Sequence, residues 1–226
     1  MKELVIFGVG KIADVVYYYA KNECGFTVAA FTADAAFATG NGFDGLPLVP
    51  FEELKAKYPP EKYDLFVAVG YHDMNRLRQQ KCAEAIAMGY HLVSVVSPHS
   101  RVPSNVKVGA NCFIMPPAIV HPCVTLGDNT FVWSGALVGH HSEVGANCWI
   151  TSGSNIGGNV RIGENCFLAM NATIAHSVNT GAACFIGANA LVTKHLTDKQ
   201  VVIAENHKPI KLNSDQFLRL SKFSSL

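Results

Sequence analysis

The chain has 226 residues, a formal net charge of +1, 49% hydrophobic residues and only 15% charged ones. That length builds one large domain or two modest ones, each with its own core, and that composition excludes a disordered chain. The charges form no Lys/Arg cluster and no acidic tail, so no nucleic-acid footprint or basic membrane-surface patch is encoded.

In chain order, Lys2-Glu3-Leu4 places an acid where a signal peptide carries positive charge, and Gly8 and Gly10 break the apolar run that follows. The run is too short for export or membrane insertion, so the cytoplasm is the expected location. Leu4-Val5-Ile6-Phe7 reads as a buried strand, followed by Gly8-Val9-Gly10-Lys11-Ile12-Ala13 and a helical stretch through Tyr19. Phe26 to Thr32 reads as a second strand with Asp34 just past its end, and Pro50 to Tyr58 as helical. Leu65 to Val69 is a third strand, Asn75 to Met88 a helix, and Leu92 to Val96 a final strand.

Strands alternating with helices over residues 1–97 imply an α/β domain with a small Rossmann-like parallel sheet. The GxGxxA turn is a nucleotide-phosphate signal, because its glycines let backbone amides at a helix start approach an anion. A tight strand-to-helix turn without a ligand gives the same pattern. A complete dinucleotide domain needs more strands than this stretch supplies. Asp34 and Gly70 both fall on the carboxyl edge of the sheet, where such folds bind ligands, which favours a nucleotide moiety.

From Val102 to Thr197 the chain falls into sixteen blocks of six without an insertion. The first position is aliphatic in fifteen blocks and departs only at Thr180; the second is Gly in eight, the fourth Asn in eight. The fifth is small or β-branched everywhere except Leu196. Short strands separated by tight corners need this pattern, with Asn and Gly accepting the positive φ of the corners. Three blocks make one triangular coil, and stacking pairs each strand with its equivalent 18 residues later at ~4.8 Å. Neither helical nor alternating periodicity fits, so residues 98–211 are expected to form an all-β parallel β-helix.

Beyond it, residues 212–226 carry Phe217, Leu218, Leu220 and Phe223 at helical spacing, read as a short amphipathic helix capping the open coil. Cys112, Cys148, Cys166 and Cys184 share one repeat position and there is no CxxC, so they are expected to be small buried thiols.

A short nucleotide-binding domain joined to an uninterrupted hexapeptide β-helix resembles one family. These are the bacterial nucleotide-sugar acetyltransferases: the bacillosamine-pathway and perosamine N-acetyltransferases and the sialic-acid O-acetyltransferases. The resemblance spans nearly the whole chain. It rests on Phe7-Gly8-Val9-Gly10-Lys11, Asp44-Gly45-Leu46-Pro47, Val67-Ala68-Val69-Gly70, Asn75-Arg76, Val138-Gly139-His140-His141-Ser142-Glu143-Val144-Gly145, Gly157-Gly158-Asn159-Val160-Arg161-Ile162-Gly163 and Gly187-Ala188-Asn189-Ala190-Leu191-Val192-Thr193-Lys194.

The resemblance implies a left-handed coil and a homotrimer, with active sites between subunits and acetyl-CoA as cosubstrate along the seam. It places the nucleotide sugar on the N-terminal domain, at Gly8, Gly10, Lys11, Asp34, Gly70 and Tyr71, and acetyl-CoA at Gly158, Met170 and Ala188. It also implies N-acetylation of a nucleotide-linked deoxyamino sugar in lipopolysaccharide or other surface-glycan biosynthesis, with sugar O-acetylation or a non-catalytic nucleotide-sugar binder as alternatives. The family's general base matches His140, and imidazole suits proton removal near neutral pH. The backbone amide that takes the thioester oxygen matches Gly158, and 18-residue stacking independently sets Gly158 one coil above His140.

Three departures stand out. The usual carboxylate after the histidine is His141, so the partner orienting His140 is a backbone carbonyl, His141 or a group of the next subunit. Trp149 falls where some members have a polar residue facing the substrate, and the ending His207-Lys208-Pro209-Ile210-Lys211 replaces Gly-x-Pro-Ala-Lys. Trp133 and Trp149 are candidates to narrow the acceptor pocket, and His72 either lines the sugar pocket or sits in a solvated loop. His176, two coils from His140, is expected ~10 Å away along the axis; His121 and His195 read as corner residues. Zinc needs ligands converging at ~2 Å and no HxxxxH pair is present, so no metal is expected.

Overall fold

The structure, a computed structural model, describes residues 2–40, 42–206 and 208–221; His207 and Phe223 lie outside the described residues. The N-terminal part runs β1 (Glu3–Phe7), α1 (Lys11–Asn22), β2 (Val28–Ala33), β3 (Gly42–Phe43), β4 (Leu46–Pro50), a 3-10 turn (Phe51–Glu53), α2 (Leu54–Lys57), β5 (Tyr63–Val67) and α3 (Arg76–Ala87). The strand order is β3-β4-β2-β1-β5; all pairs are parallel except the β3–β4 hairpin. Asp44 and Gly45 turn that hairpin at positive φ, as an Asp-Gly pair between apolar residues does. The hairpin is not among the elements expected from the sequence. From β1 the chain builds first to one side through β2, then to the other through β5, which opens a crevice beyond their carboxyl ends.

The expected final strand divides. Leu92 bridges Leu65 in this sheet, whereas Val95–Val96 pairs with Phe113–Ile114 and begins the β-helix. The third strand ends at Val67, two residues before the expected Val69.

The rest is a left-handed parallel β-helix of two-residue strands on three faces. The first face holds Val95–Val96, Phe113–Ile114, Phe131–Val132, Trp149–Ile150, Phe167–Leu168, Phe185–Ile186 and Val201–Val202; the second runs from Ile119–Val120 to Leu191–Val192, the third from Lys107–Val108 to Asn179–Thr180. Strands pair 18 residues apart, as in Phe131↔Trp149. The first column points inward to a continuous core, so the sixth must point outward. On the first face that outward column is Phe113, Phe131, Trp149, Phe167 and Phe185, and the N-terminal domain packs on it through one shared cluster with Leu4, Ile6, Phe31 and Phe66. Column five ties the coils together: Cys112, Cys148 and Cys166 donate Sγ–H to carbonyls of Gly127, Gly163 and Gly181 at 3.2–3.3 Å. All four repeat cysteines are fully buried, and burial pushes the Cys112 thiol up to about 11.

Two expectations about the repeat change. Asn in column four does take positive φ, between 52° and 61° at seven of its eight positions, Asn105 excepted. The column-two glycines do not; they are needed because a Cβ there would collide with the next coil, as at Gly139, where it would lie 2.5 Å from Gly157 C. The last block also breaks register. Thr180 bridges Leu196 and Phe185 pairs with Val201, each 16 residues apart, so the final turn is two residues short. This explains both column exceptions at once. The C-terminal helix α4 (Ser214–Ser221) forms, but Phe217, Leu218 and Leu220 are exposed and residues 203–206 and 208–213 lie open to solvent, so among the described residues it does not cap the coil.

Candidate active site

A cavity of about 440 Å³ fills the crevice at the carboxyl ends of β1, β2 and β5, and Gly8, Gly10, Lys11, Asp34, Gly70 and Tyr71 all line it. Gly8 has φ +133°, and a Cβ there would lie 2.8 Å from Ala68 O, so the first glycine closes the turn. Gly10, extended at the N-cap of α1, has open space where a Cβ would go, which leaves the helix start accessible to an anion. His72 lines the same cavity.

Lys81 is a lining residue that sequence reasoning missed, since its partner is 47 residues away. Its Nζ lies 2.6 Å from Asp34 Oδ1 and 2.8 Å from Glu84 Oε2. Burial pulls the Lys81 amine down, but the two carboxylates outweigh it and leave its pKa raised; Lys81 in turn holds Glu84 below the usual range. Asp34 is therefore already bound to a cation.

The cavity meets the β-helix at Tyr71, whose ring lies 5.4 Å from Trp149 and 4.9 Å from Phe167. Trp149 itself does not open onto the cavity. It is 2% exposed and stacked 5.0 Å from Phe131, inside the domain contact; neither it nor Trp133 lines the cavity. Arg78, also missed, is fully buried behind the wall. Its Nε donates to Asn129 Oδ1 at 2.9 Å and Nη2 to Asn129 O at 3.1 Å, while its guanidinium sits 4.5 Å from the Phe131 ring. Burial lowers its pKa to about 10, so it remains a cation at neutral pH. A ladder of amides runs beside it, with Asn111 Nδ2 donating to Asn129 Oδ1 and Asn129 Nδ2 to Asn147 Oδ1.

The histidine site lies elsewhere. His140 and His141 turn the corner between second-face Leu137–Val138 and third-face Glu143–Val144. His141 is a column-four residue with φ 58°, and its Nδ1 lies 3.2 Å from His140 Nδ1, so one ring donates and the other accepts. The His140 ring leans over the next coil: a Cβ on Gly158 would lie 2.8 Å from its Cε1 and Nε2. His176 is closer than coil spacing alone suggests. Its ring centroid is 6.2 Å from that of His140, because side-chain-free Gly158 lets the rings approach. The amide of Gly158 donates to no protein acceptor among the described residues.

Met170 and Ala188 do not join this group. They stand one coil apart at the corner between the first and second faces. His195 is a corner residue whose Nδ1 accepts from Asn179 N at 2.9 Å. Among the described residues no group of three or more His, Cys, Asp or Glu is placed to hold a metal ion, and no helix is long and apolar enough to cross a membrane.

Comparison with known proteins matches residues 95–140 and 141–176 to bacterial transferase hexapeptide (six repeats), and 159–194 to the hexapeptide repeat of succinyl-transferase. A search of curated protein sequences gives no match. Among solved structures, a histidine-to-asparagine variant of perosamine N-acetyltransferase from Caulobacter crescentus, in complex with CoA and GDP-perosamine, is 30% identical; the match covers 90% of this chain and 94% of that one at a TM-score of 0.82. The chain belongs to the hexapeptide-repeat nucleotide-sugar acetyltransferases. The fold is shared by the acetyltransferase domain of PglB from Neisseria gonorrhoeae FA1090, in complex with acetyl coenzyme A (24% identity, 92% and 99% covered, TM-score 0.65). It is shared too by WeeI from Acinetobacter baumannii AYE (15%, 90% and 97%, 0.80). As a member of this family the protein is a CoA-dependent acyltransferase.

Proposed function

We propose that this acyltransferase moves acetyl from acetyl-CoA to the amino group of a nucleotide-linked deoxyamino sugar, with His140 as general base. The observation that carries the reading is the His140–Gly158 stack, with His141 holding the other ring nitrogen. His140 keeps its proton on Nδ1, donated to His141 Nδ1, which frees Nε2 as the base. The sugar nitrogen attacks the thioester carbonyl carbon while Nε2 takes a proton from it. The oxygen, now anionic, accepts a hydrogen bond from the Gly158 amide. The C–S bond then breaks, the amide product forms, and His140 Nε2 returns the proton to the CoA sulfur.

The cavity is the sugar nucleotide's site, supported by the open start of α1 and the two carboxyl-edge loops. It sits on the first face, whereas His140 is at the vertex between the other two faces, opposite the first in a triangular section. One copy therefore does not bring its own cavity to its own base. A homotrimer does: the cavity and the Met170/Ala188 corner of one copy meet the His140/Gly158 corner of its neighbour along a seam that takes acetyl-CoA. The product is a cytoplasmic precursor for a surface glycan such as lipopolysaccharide.

The test is release of CoA thiol with UDP-, dTDP- and GDP-linked amino sugars. Turnover with one of them, lost by at least ~100-fold in His140→Ala, is expected. No turnover with any of them, or full activity in the variant, contradicts the reading.

A further inference from the structure

Arg78 has no exposed surface and bonds no carboxylate among the described residues. Its acceptors are carbonyl and amide oxygens of neutral groups, and its remaining contacts are the rings of Phe131 and Trp149. An ionised group taken out of water without a counter-charge is costly, so a cation kept here calls for a reason.

The reason lies in two of those acceptors. Nη1 donates to Val69 O at 3.4 Å and to Gly70 O at 3.3 Å. Both peptide bonds that follow are trans, and a trans peptide carries its C=O and N–H on opposite sides. Drawing those carbonyls onto the guanidinium turns the N–H groups of Gly70 and Tyr71 the other way. Gly70 and Tyr71 line the cavity, and neither amide donates to a protein acceptor among the described residues. Successive free amides aimed at one concavity bind anions. Lys81, the other buried cation at this wall, is already neutralised by Asp34 and Glu84.

We infer that Arg78 is the positioning residue of a diphosphate subsite, aiming the Gly70 and Tyr71 amides into the cavity from behind its wall and adding the positive charge that favours an anion there. The inference rests on the cavity being the nucleotide-sugar site, and it adds where the diphosphate sits and which buried group prepares its place.

The test compares UDP, dTDP and GDP with uridine, thymidine and guanosine by calorimetric titration. The readout is the diphosphate-to-nucleoside affinity ratio, in the wild type and in Arg78→Gln, Arg78→Lys, Tyr71→Pro and Tyr71→Ala. Arg78→Gln is expected to cut that ratio by roughly tenfold or more, since hydrogen bonds to charged groups carry such factors, and Arg78→Lys to restore part of it. Tyr71→Pro, which deletes one amide and leaves Arg78 untouched, is expected to cut the ratio likewise; Tyr71→Ala, which keeps the amide, is not. If the Arg78 variants fail to fold, the Tyr71 pair decides. Equal loss of diphosphate and nucleoside, or an unchanged ratio in Tyr71→Pro, overturns the inference. A wild type that binds no nucleoside diphosphate overturns the reading of the cavity itself.

Discussion

The imidazole of His140 occupies the space that a side chain at Gly158 would fill, with Cε1 and Nε2 each 2.8 Å from where the Cβ would stand. His140 is exposed, so its ring swings aside when crowded. Gly158→Ala is therefore expected to lower kcat by about 100-fold through loss of the base's placement, with melting temperature little changed. At Gly139 the same substitution meets backbone of the next coil, which does not swing. Gly139→Ala is expected to cost about 1–3 kcal/mol of stability. Thermal melts beside kcat measurements separate the two; a Gly158→Ala that keeps full kcat contradicts the placement.

His141 has two duties, one for the backbone and one for the ring. Its φ of 58° suits Asn far better than Ala, and its Nδ1 faces His140. His141→Ala is expected to lose about 1 kcal/mol from the left-handed backbone and about 10- to 100-fold in kcat. His141→Asn should recover the stability and, by offering a side-chain oxygen to His140 Nδ1, part of the rate. Unfolding curves and initial rates for the pair check this; equal kcat in both variants and the wild type would remove His141 from the mechanism.

Asn129 joins the two domains by accepting from Arg78 Nε and Asn111 Nδ2 on one oxygen and donating to Asn147. Its φ is 59°. Asn129→Ala leaves a buried charged donor unmatched and is expected to destabilise by about 3 kcal/mol, measured by denaturant unfolding. A loss below about 1 kcal/mol, the value of an ordinary hydrogen bond, would mean the ladder is incidental.

The Lys81 cluster sets a pH dependence with a definite sign. Glu84 is held low by Lys81, so its contribution is present above the unfolded carboxylate pKa and is lost as pH falls through the lower folded value. Lys81 is opposed by burial but raised overall by Asp34 and Glu84, so its contribution is present below the unfolded lysine pKa and is lost as pH rises through the higher folded value. Stability from the cluster is therefore level through neutral pH and falls on both flanks. Lys81→Met is expected to lower the melting temperature at neutral pH and to flatten the decline between about pH 5 and about pH 3. A decline as steep as the wild type's would contradict the assignment.

The β-helix was legible because its cause is periodic. Inward aliphatics, left-handed corner asparagines and the Gly158-over-His140 stack all follow from one six-residue pattern. The outward column is equally periodic but shows itself only every 18 residues, as Phe113, Phe131, Trp149, Phe167 and Phe185; without it, Trp149 reads as a candidate to narrow the acceptor pocket rather than as part of the domain contact. The cavity's glycines and Asp34 were legible from strand ends. Lys81 and Arg78 were not, because their partners lie 47, 51 and 70 residues away and no local pattern connects them. The approach of His176 departs from expectation for a third reason: coil spacing fixes backbones, not the lean of rings over a glycine.

If the base of one copy serves the cavity of another, two inactive variants mixed in one trimer restore activity that neither has alone. His140→Ala removes the base and leaves the cavity; Gly10→Trp fills the cavity and leaves the base, at a position of ordinary φ with open space for a side chain. Each variant alone is expected to be inactive. Trimers assembled from an equal mixture should regain about a quarter of the wild-type rate, because that fraction of seams pairs an intact cavity with an intact His140. Mixed trimers as inactive as either parent would contradict the shared site.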